Sequence, residues 1–571
     1  MRTLLRSAGL FLFAFSIFAQ SDRGTITGTV SDPAGAVIPN AQIEAKHVDS
    51  GSVYNVASTA TGNFTLTQLP IGNYELTVTV TGFKKFVRQN ITVQVATTAR
   101  VDVTLQVGAT TESITVSDST PLLKTESGEV SHNFDADRLN TLPLVTLGTG
   151  TGLLGNVRNP LSVVNLMPGA AFANDNTLRI NGMPSSTQSI RIEGQDATNG
   201  IWRQINQESQ PSLDAVQEVA VQTSNYAAEY GQAGGGYFNF TMKSGTNQYH
   251  GGAYDYFVNE ALNAGTPFTD AGLADSLKNG QHIRNRQRKN DYGFTFGGPI
   301  YLPKIYDGHD RSFFFFSFEQ YRESLNVGTG ITTVPTAAYQ AGNFAGALGG
   351  PLPLLDPLGR QVFQNQIFDP NSQTTASDSS LVRTPFPGNA IPTGSIDPVA
   401  AKVQAMLPQP TGSTKTNNYT IPAYSNFRHT TIPSFKLDHN LSSRIKLSAY
   451  FSYTHTVSPN ANGFTQVFTS AEPSDTESTT TRINYDQTIS PTMLLHLGIG
   501  LLNTNRPAIP PSFDQGQFWT PNQQFYINQF PNIIGLNDLF NGGNNIGLGL
   551  GLRGHLHQGP EAYGKRQPHL G

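Results

Sequence analysis

The stretch RIKLSAYFSYTH (444–455) decides the fold. Successive side chains of an extended strand point to opposite sides. Ile445, Leu447, Ala449, Phe451 and Tyr453 therefore share one face, which in a membrane strand is expected to meet lipid, and Lys446, Ser448, Tyr450 and Ser452 share the other, expected to meet the lumen. MLLHLGIGLLN (493–503) repeats the pattern, with Leu495, Leu497, Ile499 and Leu501 on the apolar side and His496, Gly498 and Gly500 opposite. Aromatic-rich segments of similar length recur upstream at YHGGAYDYF (249–257), NDYGFTFGGPIYL (290–302), RSFFFFSFEQY (311–321), SFKLDHNL (434–441) and TTTRINYDQTI (479–489). A tilted strand crosses a bilayer in roughly 9 to 11 residues with alternating apolar and polar faces. Strands of soluble sandwiches alternate as well, so the period alone leaves both architectures open.

Composition narrows the choice. Charged residues make up 13% of the 571 positions and apolar residues 37%, whereas an average soluble domain is about 25% charged. So small an apolar share excludes a helical membrane protein, and the 34 Phe and 20 Tyr exclude wholesale disorder. A net charge of −4 gives no footprint for nucleic acid. The basic run RNRQRK (284–289) reads as a solvated loop or a contact with lipid headgroups. Without cysteine there is no disulfide scaffold, thiolate catalysis or Cys-bound zinc.

The chain begins with Arg2 and Arg6, an apolar run from Ala8 to Ala19 and a small residue before Gln20, the layout of a secretory signal peptide over 1–20. From Arg23 short alternating runs follow: TITGTV (25–30), AQIEAKHV (41–48), GNFTLTQL (62–69), NYELTVTV (73–80) and NITVQVA (90–96), separated by turn residues such as Asp32-Pro33 and Thr61-Gly62-Asn63. This spacing predicts an antiparallel β-sandwich over 22–107. GTITGTVSDPAGAVIPNAQIEA and ATGNFTLTQLPIGNYELTVTVTGFKKF resemble the carboxypeptidase-regulatory-like domain, a transthyretin-like or starch-binding-like sandwich. None of the twelve histidines begins an H-x-x-E, so no zinc peptidase signature accompanies the resemblance. A spacer or ligand-contacting module is expected.

Residues 108–130 form a polar linker around Glu112, Ser113, Ile114, Thr115, Val116 and Ser117. This hexapeptide reads either as a last edge strand of the sandwich or as a segment that pairs with a partner's strand, and it resembles the TonB box of energised outer-membrane receptors. Four segments then resemble, in order, the motifs of a TonB-dependent receptor plug: NPLSVVNLMPGAAF (159–172), NTLRINGMPSSTQSIRIEGQDATNG (176–200), DAVQEVAVQTSNYAAEYG (214–231) and GGGYFNFTMKSGTN (234–247). In the last, Gly235, Gly236, Asn239, Thr241, Lys243 and Gly245 match the motif. The resemblance implies an α+β plug over 131–247. Arg179, Arg191, Glu193, Asp196, Arg203, Glu208, Glu218 and Glu229 are expected to hold it to a barrel lumen by polar contacts rather than through an apolar core. DYGFTFGGPIYLPKIYDGHDRSFFFFSFEQYRE resembles the first barrel strands of the Oar-like subfamily of these receptors.

The expected fold is mainly β: sandwich, plug, then part of a transmembrane antiparallel barrel over 248–571 with a long extracellular loop at about 323–427. Seven strands do not close a barrel, and an open sheet in hydrocarbon leaves backbone groups unpaired. The C-terminal GLRGHLHQGPEAYGKRQPHLG is not strand-like, so the barrel is expected to be truncated. His555 and His557 form an isolated H-x-H, and Gly564-Lys565-Arg566 falls short of a phosphate loop, so no metal, cofactor or catalytic residue is assigned. The resemblance implies outer-membrane import of an extracellular siderophore, oligosaccharide or peptide, driven by a TonB-type periplasmic partner, with membrane lipid around the barrel and no nucleic acid. The alternative is an adhesin or carbohydrate-binding scaffold.

Overall fold

The computed structural model describes residues 23–505, excepting 118–125, 143–157, 173–177, 185–186, 199–208, 227–229, 231–232, 263–276, 279–280, 283–286, 328–329, 397–400, 402–403, 405–406, 460, 462, 464–473 and 491–492. The signal-peptide segment, Arg203, Glu208, Glu229, Arg284, Arg286, His555, His557 and Gly564 to Arg566 lie outside the described residues.

In the N-terminal region, residues of alternating polarity form β1 (Gly24–Ser31), β2 (Gln42–His47), β3 (Val53–Ala57), β4 (Asn63–Leu69), β5 (Gly72–Thr79), β6 (Lys85–Val93), β7 (Thr98–Arg100), β8 (Val103–Thr104) and β9 (Ser113–Val116). One sheet has the order β4-β1-β7, with β8 also on β1, and the other β3-β2-β5-β6-β9. Their facing sides bury Ile26, Val30, Ile43, Phe64, Leu66, Tyr74, Leu76, Val78 and Ile91 in one apolar core. Pairing is antiparallel except where β7 and β8 lie along β1 and β9 along β6.

The central unit consists of β10 (Val130–Asp135), α1 (Ala136–Thr141), a 3-10 turn at Pro160–Leu166, β11 (Ala170–Phe172), β12 (Leu178–Ile180), β13 (Ser189–Ile192), β14 (Gln195–Asp196), β15 (Val216–Ser224) and β16 (Tyr237–Met242). Asp135 caps α1 by accepting from the Arg138 N–H at 2.8 Å, and Asn159 caps the 3-10 turn, accepting from Leu161 N–H ahead of Pro160. The five-stranded sheet runs β10-β15-β16-β13-β14. Every residue of β16 is buried. An apolar core joins Phe134, Leu139, Ile190, Ile192, Val219, Val221, Phe238 and Phe240 to Phe315 and Tyr450 of the next region. This corrects the expectation of polar contacts alone: β15 and β16 lie within a sheet covered on both sides, and their runs of Val, Phe and Ala bury both faces.

The third region is an up-and-down sheet. Its long strands are β17 (His250–Asn259), β20 (Gln287–Pro299), β23 (Ser312–Val327), β30 (Tyr424–Asn440), β31 (Ile445–Ser458), β32 (Ser474–Ser490) and β33 (Met493–Asn505). They pair as sequence neighbours in the order β17-β20-β23-β30-β31-β32-β33. All seven expected segments are strands, and most run beyond the quoted residues. Small hairpins decorate the connections: β18 (Leu277–Lys278) with β19 (Gln281–His282), and β21 (Tyr301–Leu302) with β22 (Tyr306–Asp307). The short connections 300–311, 441–444 and 491–492 share one end, and the long ones 260–286, 328–423 and 459–473 share the other.

The longest connection has structure of its own. It contains β24 (Gly330–Thr332), α2 (Ala337–Gln340), β25 (Pro351–Leu355), β26 (Gln361–Phe363), β27 (Thr374–Thr375), β28 (Leu381–Val382) and β29 (Tyr419–Ile421), with β24 and β29 paired across its base. Buried asparagines stand in for strand partners. Asn418 accepts from Val334 N–H at 2.8 Å and donates to Val334 carbonyl at 2.9 Å. Asn389 bridges Ile367 N–H to the carbonyls of Phe344 and Asn365. Side chains with both donor and acceptor satisfy backbone groups where few apolar residues are available.

Candidate functional site

The long sheet has an inverted distribution of polarity. On the side facing the central unit lie Lys289, Asp291, Ser317, Glu319, Ser434, Lys436, Ser448, Ser452, Thr480, Arg482, Asn484 and Asp486, all buried. On the opposite side Phe294, Phe296, Phe435, Phe451, Ile483, Leu497, Ile499 and Leu501 are exposed. Phe294 and Phe296 pack on Phe316 and Phe314, with ring centres 5.7 and 5.5 Å apart. Water makes such a surface unfavourable, whereas a bilayer favours it. RIKLSAYFSYTH lies as expected, with Leu447 and Phe451 outward and Ser448, Tyr450 and Ser452 inward.

A family model described as outer membrane beta barrel domain matches residues 241–565, more than half of the chain. The chain belongs to this outer-membrane β-barrel family. The carboxypeptidase regulatory-like domain model matches residues 25–106. The chain is 31% identical over 315 residues to the TonB-dependent transporter Oar of Myxococcus xanthus, covering 52% of this chain and 27% of that protein, so it spans about a quarter of the relative's length. Among solved structures, the outer membrane transporter YddB from Escherichia coli aligns with 10% identity and a TM-score of 0.38, over 65% of this chain and 38% of that one. The siderophore receptor PirA from Acinetobacter baumannii aligns with 13% identity and a TM-score of 0.28, over 69% and 50%. The Myxococcus xanthus relative is named as a transporter, and the two solved structures as a transporter and a receptor.

In this barrel-family chain the central unit meets the polar wall through a few buried contacts. Glu193, in the turn between β13 and β14, accepts from Lys436 Nζ at 2.9 Å and from Met242 N–H at 2.6 Å; Lys436 also donates to Met242 carbonyl at 3.0 Å. Ser212 donates to Glu319 at 2.7 Å, and Tyr254 donates to the same carboxylate oxygen at 3.1 Å. Arg158 donates its backbone N–H to Asp291 at 3.2 Å, pairs with Asp214, and lies over the rings of Tyr256 and Tyr254 at 3.9 and 4.8 Å. Ser244 bonds Asp438. Every charge here has an opposite charge or a hydrogen-bond partner, without which burial would cost several kcal/mol, roughly 3–5 for a broken pair.

A second set of contacts ties the sandwich to both neighbours. Glu218 of β15, fully enclosed, accepts from Val95 N–H at 2.9 Å and from Asn133 Nδ2 at 2.5 Å, and Asn133 also donates to Val95 carbonyl at 3.1 Å. At the short-turn end Arg23 pairs with Asp486 at 3.1 Å, Asn440 donates to Ser52 at 2.9 Å, and Lys446 Nζ lies 3.3 Å from the Tyr54 ring centre. A cavity of about 150 Å³ separates these contacts, lined by residues including His47, Asp49, Glu193, Lys436 and Asp438. His47 is held neutral: burial lowers its pKa, only partly opposed by the Ile71 carbonyl and Asp49.

The sequence-derived residues separate into groups. Glu193 and Glu218 make the contacts just described, whereas Arg179 and Asp196 are exposed, and Arg191 is buried beside the Tyr237 ring at 5.7 Å. Gly236 has φ +107°, a region that side chains rarely enter. At Gly245 a Cβ would lie 2.4 Å from the Phe314 carbonyl and 2.6 Å from that of Gly298, so only glycine lets the chain leave the central unit against the wall. Asn239 bonds Gln222 at 3.2 Å. Gly235 adjoins Thr187, Thr241 is buried in β16, and Lys243 follows with its N–H on Ala215 carbonyl. Ser113 to Val116 form β9, flanked by Glu112 and Ser117. Sequence reasoning did not single out Arg158, Asp214, Asp291, Glu319 or Lys436. The inward strand positions of Asp291, Glu319 and Lys436 were the available signal, because a charge within a membrane strand must face the lumen.

Proposed function

We propose that this chain acts as a TonB-dependent outer-membrane receptor and transporter. In this reading the unit at 131–247 is a plug inside the barrel, and the long-loop end faces outward. A ligand bound there is imported when a TonB-type periplasmic protein pulls on residues 112–117. The observation that carries the reading is the seating of the central unit on the polar wall face through Glu193–Lys436, Ser212–Glu319 and Arg158–Asp291. Beside the apolar contact with Phe315 and Tyr450, the polar contacts are few and can be exchanged for water one at a time, which suits a body that has to shift. The similarity to a TonB-dependent transporter supports the same assignment. Siderophores, oligosaccharides and peptides are the candidate ligands.

Deleting 112–117 from the full-length protein tests the reading. Uptake of the ligand is expected to stop while binding at the cell surface is retained; uptake at the normal rate would rule out the mechanism.

A further inference from the structure

We propose that the sandwich gates access of the periplasmic partner: residues 113–116 are stored as a detachable strand of the sandwich sheet and must leave β6 before the partner takes them. The proposal rests on the reading of 112–117 as the partner-binding segment.

The backbone of the segment is already engaged. β9 lies parallel to β6 with Ser113, Ile114, Thr115 and Val116 opposite Lys85, Phe86, Val87 and Arg88, and Lys85 N–H donates to the Glu112 carbonyl at 2.8 Å. Backbone groups alternate sides along a strand, so β6 occupies the row carried by residues 112, 114 and 116. The side chains are engaged too. Ile114 and Val116 are half-buried, Val116 against the sandwich core, while Ser113 and Thr115 are exposed. Strand addition takes affinity from the main chain and specificity from pockets for alternate side chains. The only apolar side chains in the segment are turned into the sandwich, and a partner meeting the docked strand finds two small hydroxyls.

The docking is also weak enough to open. It spans four residues and is the one parallel pairing in its sheet, an arrangement slightly less stable per residue than antiparallel pairing. Its flanking ties are solvated: Lys84 Nζ lies 2.8 Å from Glu112 with side chains 32% and 58% exposed, and Asn90 reaches the Ser117 carbonyl at 3.4 Å. The sandwich has other anchors, Val95 on Glu218 and Arg23 on Asp486, so it stays in place when β9 departs.

The chain has no cysteine, so the double substitution Val87→Cys/Thr115→Cys, at opposed positions of the two strands, introduces a single disulfide. Binding of the periplasmic domain of a TonB-type protein to the full-length chain is measured before and after reduction. The oxidised form is expected to bind at least about tenfold more weakly, which is about 1.4 kcal/mol, and reduction to restore wild-type affinity. Equal affinity in both states would show that the partner adds to the docked strand and would overturn the gate. Lys84→Glu gives an independent readout if the cysteine pair disturbs folding. Like charges at Lys84→Glu and Glu112 are expected to raise partner affinity up to about fivefold, the scale of an exposed ion pair; unchanged or weaker binding overturns the proposal. If wild type and a chain lacking 112–117 bind the domain equally, the partner-binding reading itself fails, and the gate with it.

Discussion

Strand β5 of the sandwich and strand β31 of the barrel wall share one alternation and are turned inside out relative to each other. In β5 the apolar Tyr74, Leu76 and Val78 are buried and Thr79 is exposed. In β31 the apolar Leu447 and Phe451 are exposed and Ser448, Ser452 and Thr454 are buried. The alternation comes from the backbone, which turns side chains to opposite sides every residue. Which side is interior depends on what covers it: a second apolar sheet for β5, the central unit and a bilayer for β31. A two-residue period therefore establishes two faces without establishing an inside.

Four experiments bear on this contrast. The largest effect is expected where polarity is buried in the wall. Lys436→Met leaves Glu193 enclosed without its cation and is expected to destabilise the folded barrel by about 3–5 kcal/mol, while Lys436→Met/Glu193→Met recovers most of the loss. Denaturant titration in lipid checks both, and a double variant as unstable as the single one would count against a paired interior. Next, Leu76→Ala in the sandwich core should cost about 2–5 kcal/mol. Leu501→Ala, on a side chain 62% exposed to the bilayer side, should cost far less in the same titration. If the two losses are equal, the inversion is wrong.

Charge reverses the order. Ile499, 78% exposed on the wall, becomes a charge in hydrocarbon on substitution to Arg, expected to cost about 2–4 kcal/mol at the bilayer midplane. Thr79→Arg on the exposed face of β5 should change stability by no more than about 0.5 kcal/mol. Folding yields into vesicles separate these outcomes. The smallest effect concerns pH. His47 Nε2 donates to the Ile71 carbonyl at 3.3 Å while Nδ1 accepts from Ser50 N–H at 3.2 Å, an arrangement that needs the neutral ring. Its pKa is lowered on folding, chiefly by burial. The unfolded chain therefore binds the proton first, near pH 6.5. The stabilisation is whole above that pH and lost as pH falls below it, until the folded form also protonates. Hydrogen-exchange protection in β2 and β5, taken relative to the intrinsic exchange rate at each pH, should fall between pH 7.5 and 5.5, and His47→Gln should remove that part of the dependence.

Much of this was readable in the chain. All seven wall strands, the polarity of the faces of 444–455 and 493–503, and five sandwich strands follow from alternation and turn residues. Strand β3 (VYNVA) was not, because none of its residues is fully buried and its pattern is weak. The 328–423 connection showed few strands because its hairpins are two to five residues long and are held by Asn389 and Asn418 rather than by an apolar repeat. Glu193 and Glu218 stood out as charges in low-charge surroundings, but their partners did not. Lys436 lies 243 residues from Glu193, and Glu218 meets a backbone group, Val95, which has no side-chain signal at all.

The amino-acid sequence by itself determined the strands and the sparing use of charge, since each depends on side chains within a few residues of one another. Only the tertiary structure decided that Glu193 belongs to Lys436 and Glu218 to Val95, and that 113–116 lies docked on β6. The physical reason is that burial and charge pairing depend on which surfaces meet, and here those surfaces come from segments hundreds of residues apart, such as Ser52 and Asn440, 388 positions from each other.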